Sequence, residues 1–482
     1  MKARSALDAG QPDKALALYN EELEVKSERD LPADSSGDNA LLLLDRAVIL
    51  QELGQFELSS RDLQTADKQV EMLDFSRGTA DEIGRYLFSD DVGPYKSPPY
   101  EKLMINTINM INYLARGDLN GGKIEARRFA VMQKYLTDNE SASAALLGAG
   151  SYLAGFIFEQ SGEPQTALRY YDEALQYGRF RTLEQAVVRL AGRATYRTPR
   201  IQTILQQHGG RAGQGTKRPS PAASSAPREP TAANSDAPEP SADKPATEES
   251  SNRSSNERPV ASFEEPASSP PVQAPPASQT EEGEILVVIS YGRVPAKVAK
   301  RVPIGLALTY ASGALSPRDH ARANELAAQG LVTWVNYPEL DKAKGKHGVA
   351  RYNLDNRPQP LDGVPIEQHT RKAWDEQKGA VIASAITRMI SRVVAGKGAQ
   401  ELGGGDSLLG VLLSLFTQAT LTAADTPDTR SWATLPARIA IGRVRVAPGD
   451  HTVELLARGK VLRKTISIKP GGFVAVALTV LR

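Results

Sequence analysis

Between Ser151 and Gly178 the apolar positions recur at helical spacing in two short blocks. Tyr152, Gly155 and Phe158 fall three apart, and Ala167, Tyr171 and Ala174 follow at spacings of four and three. This period predicts two short amphipathic helices joined at Gly162. Small residues (Gly155, Ala167, Ala174) stand where paired helices must approach, and Phe158 and Tyr171 fill the space beside them. Weaker copies lie upstream. Leu43, Ala47, Leu50, Gly54, Phe56, Leu63 and Ala66 repeat the spacing. Gly10, Ala15 and Tyr19 match the second half of a unit, and a diverged copy centres on Gly117. Residues from Ser5 to about Leu205 are therefore expected to be almost wholly helical, in antiparallel pairs, with no β-sheet.

Small–aromatic helix pairs of this kind follow the tetratricopeptide pattern. The intervals between copies are irregular and longer than the ~34 residues of a standard repeat, so extra turns or loops must separate the units. An irregular helical bundle is the other reading of the same positions. Gly10 limits the first helix to nine residues, too short to cover its neighbour, whereas solenoid ends carry a polar cap. The expectation is that the protein begins upstream of Met1. The first residues carry no charged-then-apolar export signal.

The second half changes period. Glu284–Ser290 (EILVVIS) reads as a strand with a turn at Tyr291-Gly292, and KVAKRVPIGLALTY holds a second strand. Asp319–Gln329 reads as a helix, and Val332–Tyr337 as a strand ended by Pro338. Gly345–Pro365 reads as irregular. Ile366–Lys397 is the longest helical stretch, with Ile382, Ile386, Met389, Ile390 and Val393 on one face. Ser407–Phe416 is apolar nearly all round, a buried helix or a docking segment. From about Arg438 to Leu481, Pro-Gly and Gly turns separate four alternating runs, a meander of antiparallel strands. Ile439, Ile441, Val444 and Val446 do not share a parity, which predicts a bulge near Gly442. The meander is too small to stand alone. The 408–416 helix or the Ile382–Val393 face is expected to pack on it.

Composition adds the organisation. The fold class is multidomain: an all-α tetratricopeptide-like domain (1–205), a disordered Pro/Ala/Ser-rich linker (206–283), and an α+β domain (284–482) whose meander occupies about 437–482. The linker offers almost nothing to bury, so its ordering entropy has no offset. The 58 basic and 57 acidic residues nearly cancel, so no global field points to nucleic acid. The absence of Cys excludes disulfides, thiol nucleophiles and Cys-ligated metals within the chain, and suits an oxidising compartment. No run of 18 apolar residues exists to span a bilayer.

The chemistry-bearing residues form few patterns. His208, His320, His347, His369 and His451 are not at metal-ligand spacing, and there is no HExxH, GxSxG or phosphate-binding loop. Gly403–Gly405 lacks a following Lys-Ser/Thr and reads as a hinge. No catalytic residue, metal or cofactor is expected. Asn106, Asn112 and Tyr113 with Arg127 and Arg128 either line a polar partner-binding groove or occupy solvated helix faces with one aromatic in the core. Asp428, Arg430 and Trp432 form either a binding cluster or an ion pair and aromatic anchor that fix the loop before the first terminal strand.

Two stretches carry a family resemblance. Tyr100–Asn106, Ile111–Asp118 and Ala126–Arg128, together with Asp428–Pro436, resemble an uncharacterised family of bacterial envelope proteins. The members are exported or lipid-anchored and carry tetratricopeptide-like repeats in front. The tail APGDHTVELLARGKVLRKTISIKPGGFVAVAL is similar to small β-domains named for a PEGA signature, although that tetrapeptide is missing. The resemblance implies a periplasmic or outer-membrane-associated location, with any membrane association made through a segment upstream of Met1; the cytoplasm is the alternative. The function expected is a non-enzymatic scaffold that docks protein partners on its helical surface, while the linker lets the second half reach another partner. The alternatives are a ligand-binding protein or enzyme with its site in the C-terminal half, near Trp334, Trp374 and Trp432, and a cytosolic repeat scaffold.

Overall fold

Four glycines set the geometry of the helical half. Gly10, Gly54, Gly117 and Gly162 have φ of +70°, +76°, +72° and +76°, which L side chains rarely adopt. At Gly162 the glycine N–H bonds Glu159 O, and the next N–H, of Glu163, bonds Phe158 O; the same pair of bonds recurs at the other three turns. This closure satisfies the last carbonyls of one helix while the chain reverses into the next. The computed structural model describes residues 2–72, 95–138, 142–212, 281–330, 333–342, 348–402 and 427–482. Most of the 206–283 linker, His347, Gly403–Gly405 and the 407–416 apolar run lie outside the described residues.

The first turn joins α1 (Lys2–Asp8) to α2 (Pro12–Glu22), and the second joins α3 (Asp38–Glu52) to α4 (Phe56–Gln69). Next come β1 (Glu71–Met72) and β2 (Lys96–Ser97), a two-residue parallel ladder. It corrects the expectation that this half contains no β pairing. The third turn joins α5 (Pro99–Ala115) to α6 (Leu119–Asp138), and the fourth joins α7 (Leu147–Gln160) to α8 (Pro164–Tyr177). Two further helices follow, α9 (Glu184–Ala191) and α10 (Pro199–Ala212), so helix runs past the expected end at residue 205. Ala167, Tyr171 and Ala174 are fully buried. A Cβ added at Gly155 would lie 2.4 Å from the Tyr171 ring, which is why the small residue stands there.

The second half is built from two four-stranded sheets and a separate two-stranded ribbon. β3 (Gly283–Tyr291) opens it, followed by the ribbon strand β4 (Lys297–Pro303), α11 (Ile304–Ala311), α12 (Pro317–Ala328) and β5 (Trp334–Leu340). Three short strands, β6 (Arg351–Leu354), β7 (Arg357–Gln359) and β8 (Asp362–Val364), occupy the stretch expected to be irregular. Asp355 and Asn356, both with positive φ, make the tight turn between β6 and β7. The helix α13 (Ile366–Leu402) leads to β9 (Arg438–Val446), β10 (Gly449–Ala457), β11 (Lys460–Ile468) and β12 (Phe473–Val480). Pro338 does not end β5; it pairs with Ala299 inside the ribbon.

The four terminal strands do not form one meander. One sheet has the order β12-β3-β9-β8 and the other β11-β10-β6-β7. Of the four, only β10 and β11 pair with each other, and β12 runs parallel to β3. The first sheet is covered on both faces. Ile285, Val287, Ile289, Val476 and Leu478 pack against Val453, Leu455 and Ile466 of the second sheet. Leu286, Val288, Ile439 and Ile441 join the core of the helical half. A strand covered on both sides reads as a continuous apolar run, as EILVVIS does. The same fact removes the expected bulge. The β3–β9 register is unbroken from Gly283↔Val446 to Tyr291↔Arg438, and the mixed parity of β9 reflects two buried faces. Gly442 is small because a Cβ there would lie 2.8 Å from Pro360 O.

The Ile382–Val393 face of α13 packs elsewhere than expected. Ile382, Ile386 and Ile390 cluster with Val302, Leu308, Leu326 and Val335 of the ribbon, α11 and α12, rather than with the terminal strands. Residues 1–209 and 280–482 form one compact unit. The two folded halves, read from sequence as bodies separated by a tether, share a core.

Candidate functional site

The segment Ser431–Ala437, just before β9, is buried throughout. It lies between the helical half and the first sheet and is held by both. On the helical side, Trp432 N–H donates to Glu101 Oε1 at 3.2 Å and Trp432 Nε1 to Leu44 O at 3.1 Å. Thr434 N–H donates to Asp45 Oδ1 at 2.8 Å, and Thr434 Oγ1 to the Asp45 carbonyl at 3.1 Å. On the sheet side, Val294 N–H donates to Leu435 O at 2.8 Å and Ala437 N–H to Gly292 O at 3.2 Å. The helices thus receive a turn of the chain, in which Leu435 N–H donates to Trp432 O at 3.4 Å, by its peptide groups and one large aromatic.

The receiving residues come from helices that are apolar on nearly every side. α3 buries eleven of its residues, Asp45 and Arg46 among them. Buried charge needs partners. Arg46 forms a two-pronged pair with Asp62, at 2.6 and 3.0 Å, and bonds Asn20 and the Asp30 carbonyl. Asp45 accepts from Tyr19 at 3.0 Å and from Thr434. Glu101 accepts from Tyr95, Tyr100 and Trp432 N–H. Burial raises the carboxyl pKa of both Asp45 and Glu101, against the lowering charge of Arg4 on the first and Lys297 on the second.

Asp428 and Arg430 clamp the start of the segment. Arg430 Nε and Nη2 meet the two Asp428 oxygens at 3.0 Å each, and Nη1 reaches Asp38. Burial pushes Asp428 up, but the Arg430 hydrogen bonds and the charge of Lys297 more than offset it, and its pKa lies below the ordinary value. Asp428, Arg430 and Trp432 therefore act on one segment, with the tryptophan 2 % exposed and set into the helices.

No family model, curated protein or solved structure matches this chain.

A second contact between the halves went unrecognised in the sequence. Arg443 of β9 reaches into the helices and bonds Glu159 at 2.9 Å, Tyr171 Oη at 2.9 Å and Glu284 at 2.8 Å. Its guanidinium also lies over the Phe156 and Tyr171 rings. Burial raises Glu159, but the Arg443 charge, the Tyr171 hydrogen bond and the Arg189 charge together outweigh it and the pKa lies below the ordinary value. The signal present in the sequence is a charge inside each of two apolar strands, Glu284 in EILVVIS and Arg443 in RIAIGRVRV. A third link comes from Asp362, which accepts from the backbone N–H groups of Arg181 and Thr182 at 3.1 and 2.9 Å.

The other candidate residues do not converge on a groove. Asn106 is buried and donates to Glu125 at 3.1 Å. Asn112, fully buried, accepts from Gln51 at 2.8 Å and donates to Ser59 at 2.9 Å, which ties α5 to α3 and α4. Tyr113 packs on Gly121 and accepts from Gln64 at 2.6 Å. Arg127 and Arg128 are exposed, Arg128 paired with Glu125 at 3.0 Å. In the C-terminal half, Trp374, Tyr337 and Lys378 all donate to Glu339, at 2.9, 3.0 and 2.6 Å. Trp334 is 42 % exposed under Arg301, whereas Trp432 is buried in the helices, so the three tryptophans do not share a site. Among the described residues no three His, Asp or Glu side chains group to hold a metal, and no helix is long and apolar enough to cross a membrane.

Proposed function

We propose that this protein is a non-enzymatic interaction scaffold whose tetratricopeptide-like helical hairpins recognise short turn-forming peptide segments, and that residues 427–437 fill one such site in cis. The observation that carries the reading is the reception of that segment by the helices. Its peptide N–H groups bond Asp45 and Glu101, and its indole bonds Leu44 O, as a peptide from another chain would. The four identical glycine turns and the buried Ala167–Tyr171–Ala174 face support the tetratricopeptide-like assignment. Partners of the scaffold are proteins. The envelope location rests on the sequence resemblance.

A labelled peptide of residues 427–437 tests this. The wild-type chain, with its site filled, binds the peptide weakly. A chain carrying both Trp432→Ala and Thr434→Ala binds it at least about tenfold more tightly, since its own segment competes poorly for the same hydrogen bonds. Adding Asp45→Ala to that chain, which leaves the peptide's Thr434 N–H without its side-chain acceptor, removes the gain. A folded double variant with no measurable affinity for the peptide contradicts the reading.

A further inference from the structure

Beside the Trp432 segment lies a cavity of about 150 Å³ whose walls come from both halves. Arg4 and Asp8 line it from α1, Arg293 from the loop after β3, Asp341 and Lys342 from the end of β5 onward, Arg458 from the β10–β11 turn, and Arg482 from beyond β12. Five cations thus face two carboxylates around a space sufficient for several waters. Asp8 is committed to Arg293, and the Asp341 Oδ1 accepts from the Lys342 backbone N–H at 2.7 Å.

The cations are positioned by backbone. Arg482 donates to the Arg458 carbonyl, and its guanidinium passes between two glycines. A Cβ at Gly459 would lie 2.6 Å from Arg482 Nη2, and one at Gly10 would lie 3.4 Å from Nη1. Arg293 is 10 % exposed at its side chain. Arg4 makes no hydrogen bond or ion pair among the described residues, and the Lys342 ammonium makes none either. Like charges gathered around one cavity repel one another, and an anion between them relieves the repulsion. Guanidinium forks from several directions suit the oxygens of a phosphate group better than any single carboxylate.

We infer that this cavity binds a multiply charged phosphate group, carried either by a small soluble molecule or by a lipid headgroup. The site borders the 427–437 segment through Ala433 and draws its residues from both halves, so its ligand strengthens their closure.

Titration calorimetry of the full chain with inorganic pyrophosphate at fixed ionic strength tests the first source. Flotation with phosphatidylcholine vesicles containing phosphatidic acid tests the second. Saturable pyrophosphate binding that weakens about tenfold in Arg4→Gln and in Lys342→Gln, with Arg4→Lys intermediate, supports the site with a soluble ligand. Vesicle binding lost in the same variants, without pyrophosphate binding, supports it with a lipid headgroup. If Arg4→Gln fails to fold, the exposed Lys342→Gln decides. No saturable binding to either probe, or binding that Lys342→Gln leaves unchanged, overturns the assignment.

Discussion

Replacing Trp432 with alanine destabilises the folded chain by about 3–5 kcal/mol, the range for emptying a large buried aromatic site. The loss has two parts. The indole is 2 % exposed and lies between the helical core and the segment before β9, so its removal leaves a cavity that rigid helices close only in part. The Leu44 carbonyl also loses its Nε1 partner. Trp432→Phe separates the two, because it keeps most of the volume and removes only the donor. Its expected cost is about 0.5–1.5 kcal/mol, that of one lost hydrogen bond, since the Leu44 carbonyl lies inside α3 and keeps its helical partner. Urea unfolding of both variants gives the values. A change below about 1 kcal/mol for the alanine variant would mean that the tryptophan does not join the halves.

The second large effect belongs to Arg443. Its removal leaves Glu159 and Glu284 buried, each only 9 and 7 % exposed at the side chain. Truncating one member of a buried ionic group costs about 3–5 kcal/mol, because the remaining charge has no counterpart. Arg189, 2.9 Å from Glu159 and 3.6 Å from Glu284, survives as a partial counter-charge and moves the expectation for Arg443→Ala to the lower end. Arg443→Met combined with Glu159→Gln and Glu284→Gln recovers much of the loss, since uncharged groups no longer need a countercharge. If the single variant unfolds at the wild-type urea midpoint, the charges are solvated and the contact is superficial.

Local structure was legible where one residue type decides it. The turns at Gly10, Gly54, Gly117 and Gly162 could be read because positive φ selects glycine there. β3 and β9 to β12 could be read as strands from their apolar runs and Pro-Gly or Gly turns. Their partners could not. Pairing β12 parallel to β3 joins residues almost two hundred positions apart, and no local pattern encodes that choice. The parity of β9 misled for a related reason. Alternation implies one buried face, and a strand covered by helices on one side and a sheet on the other breaks the premise. The β6–β7 hairpin was hidden by its shortness, although Asp355-Asn356 is a suitable turn pair.

The site followed the same division. Asp428, Arg430 and Trp432 drew notice as a polar–aromatic cluster, and the structure sets them on one segment. That the tryptophan enters the helical half is a tertiary fact, invisible in a sequence where the helices that receive it lie more than three hundred residues upstream. Asn106 and Asn112 read in the sequence as groove-lining or solvated positions, and the structure buries both. They serve helix packing: Asn112 is bonded on both sides, by Gln51 and Ser59, and Asn106 is buried against Glu125.

The helical and strand-rich halves form one body held by the Trp432 segment and the Arg443 contact. A single engineered protease site placed between residues 213 and 280, cut to completion and followed by size-exclusion chromatography without denaturant, tests it most directly. Both fragments are expected to elute together at the position of the uncut chain. Two separate peaks, each a folded fragment, would contradict it.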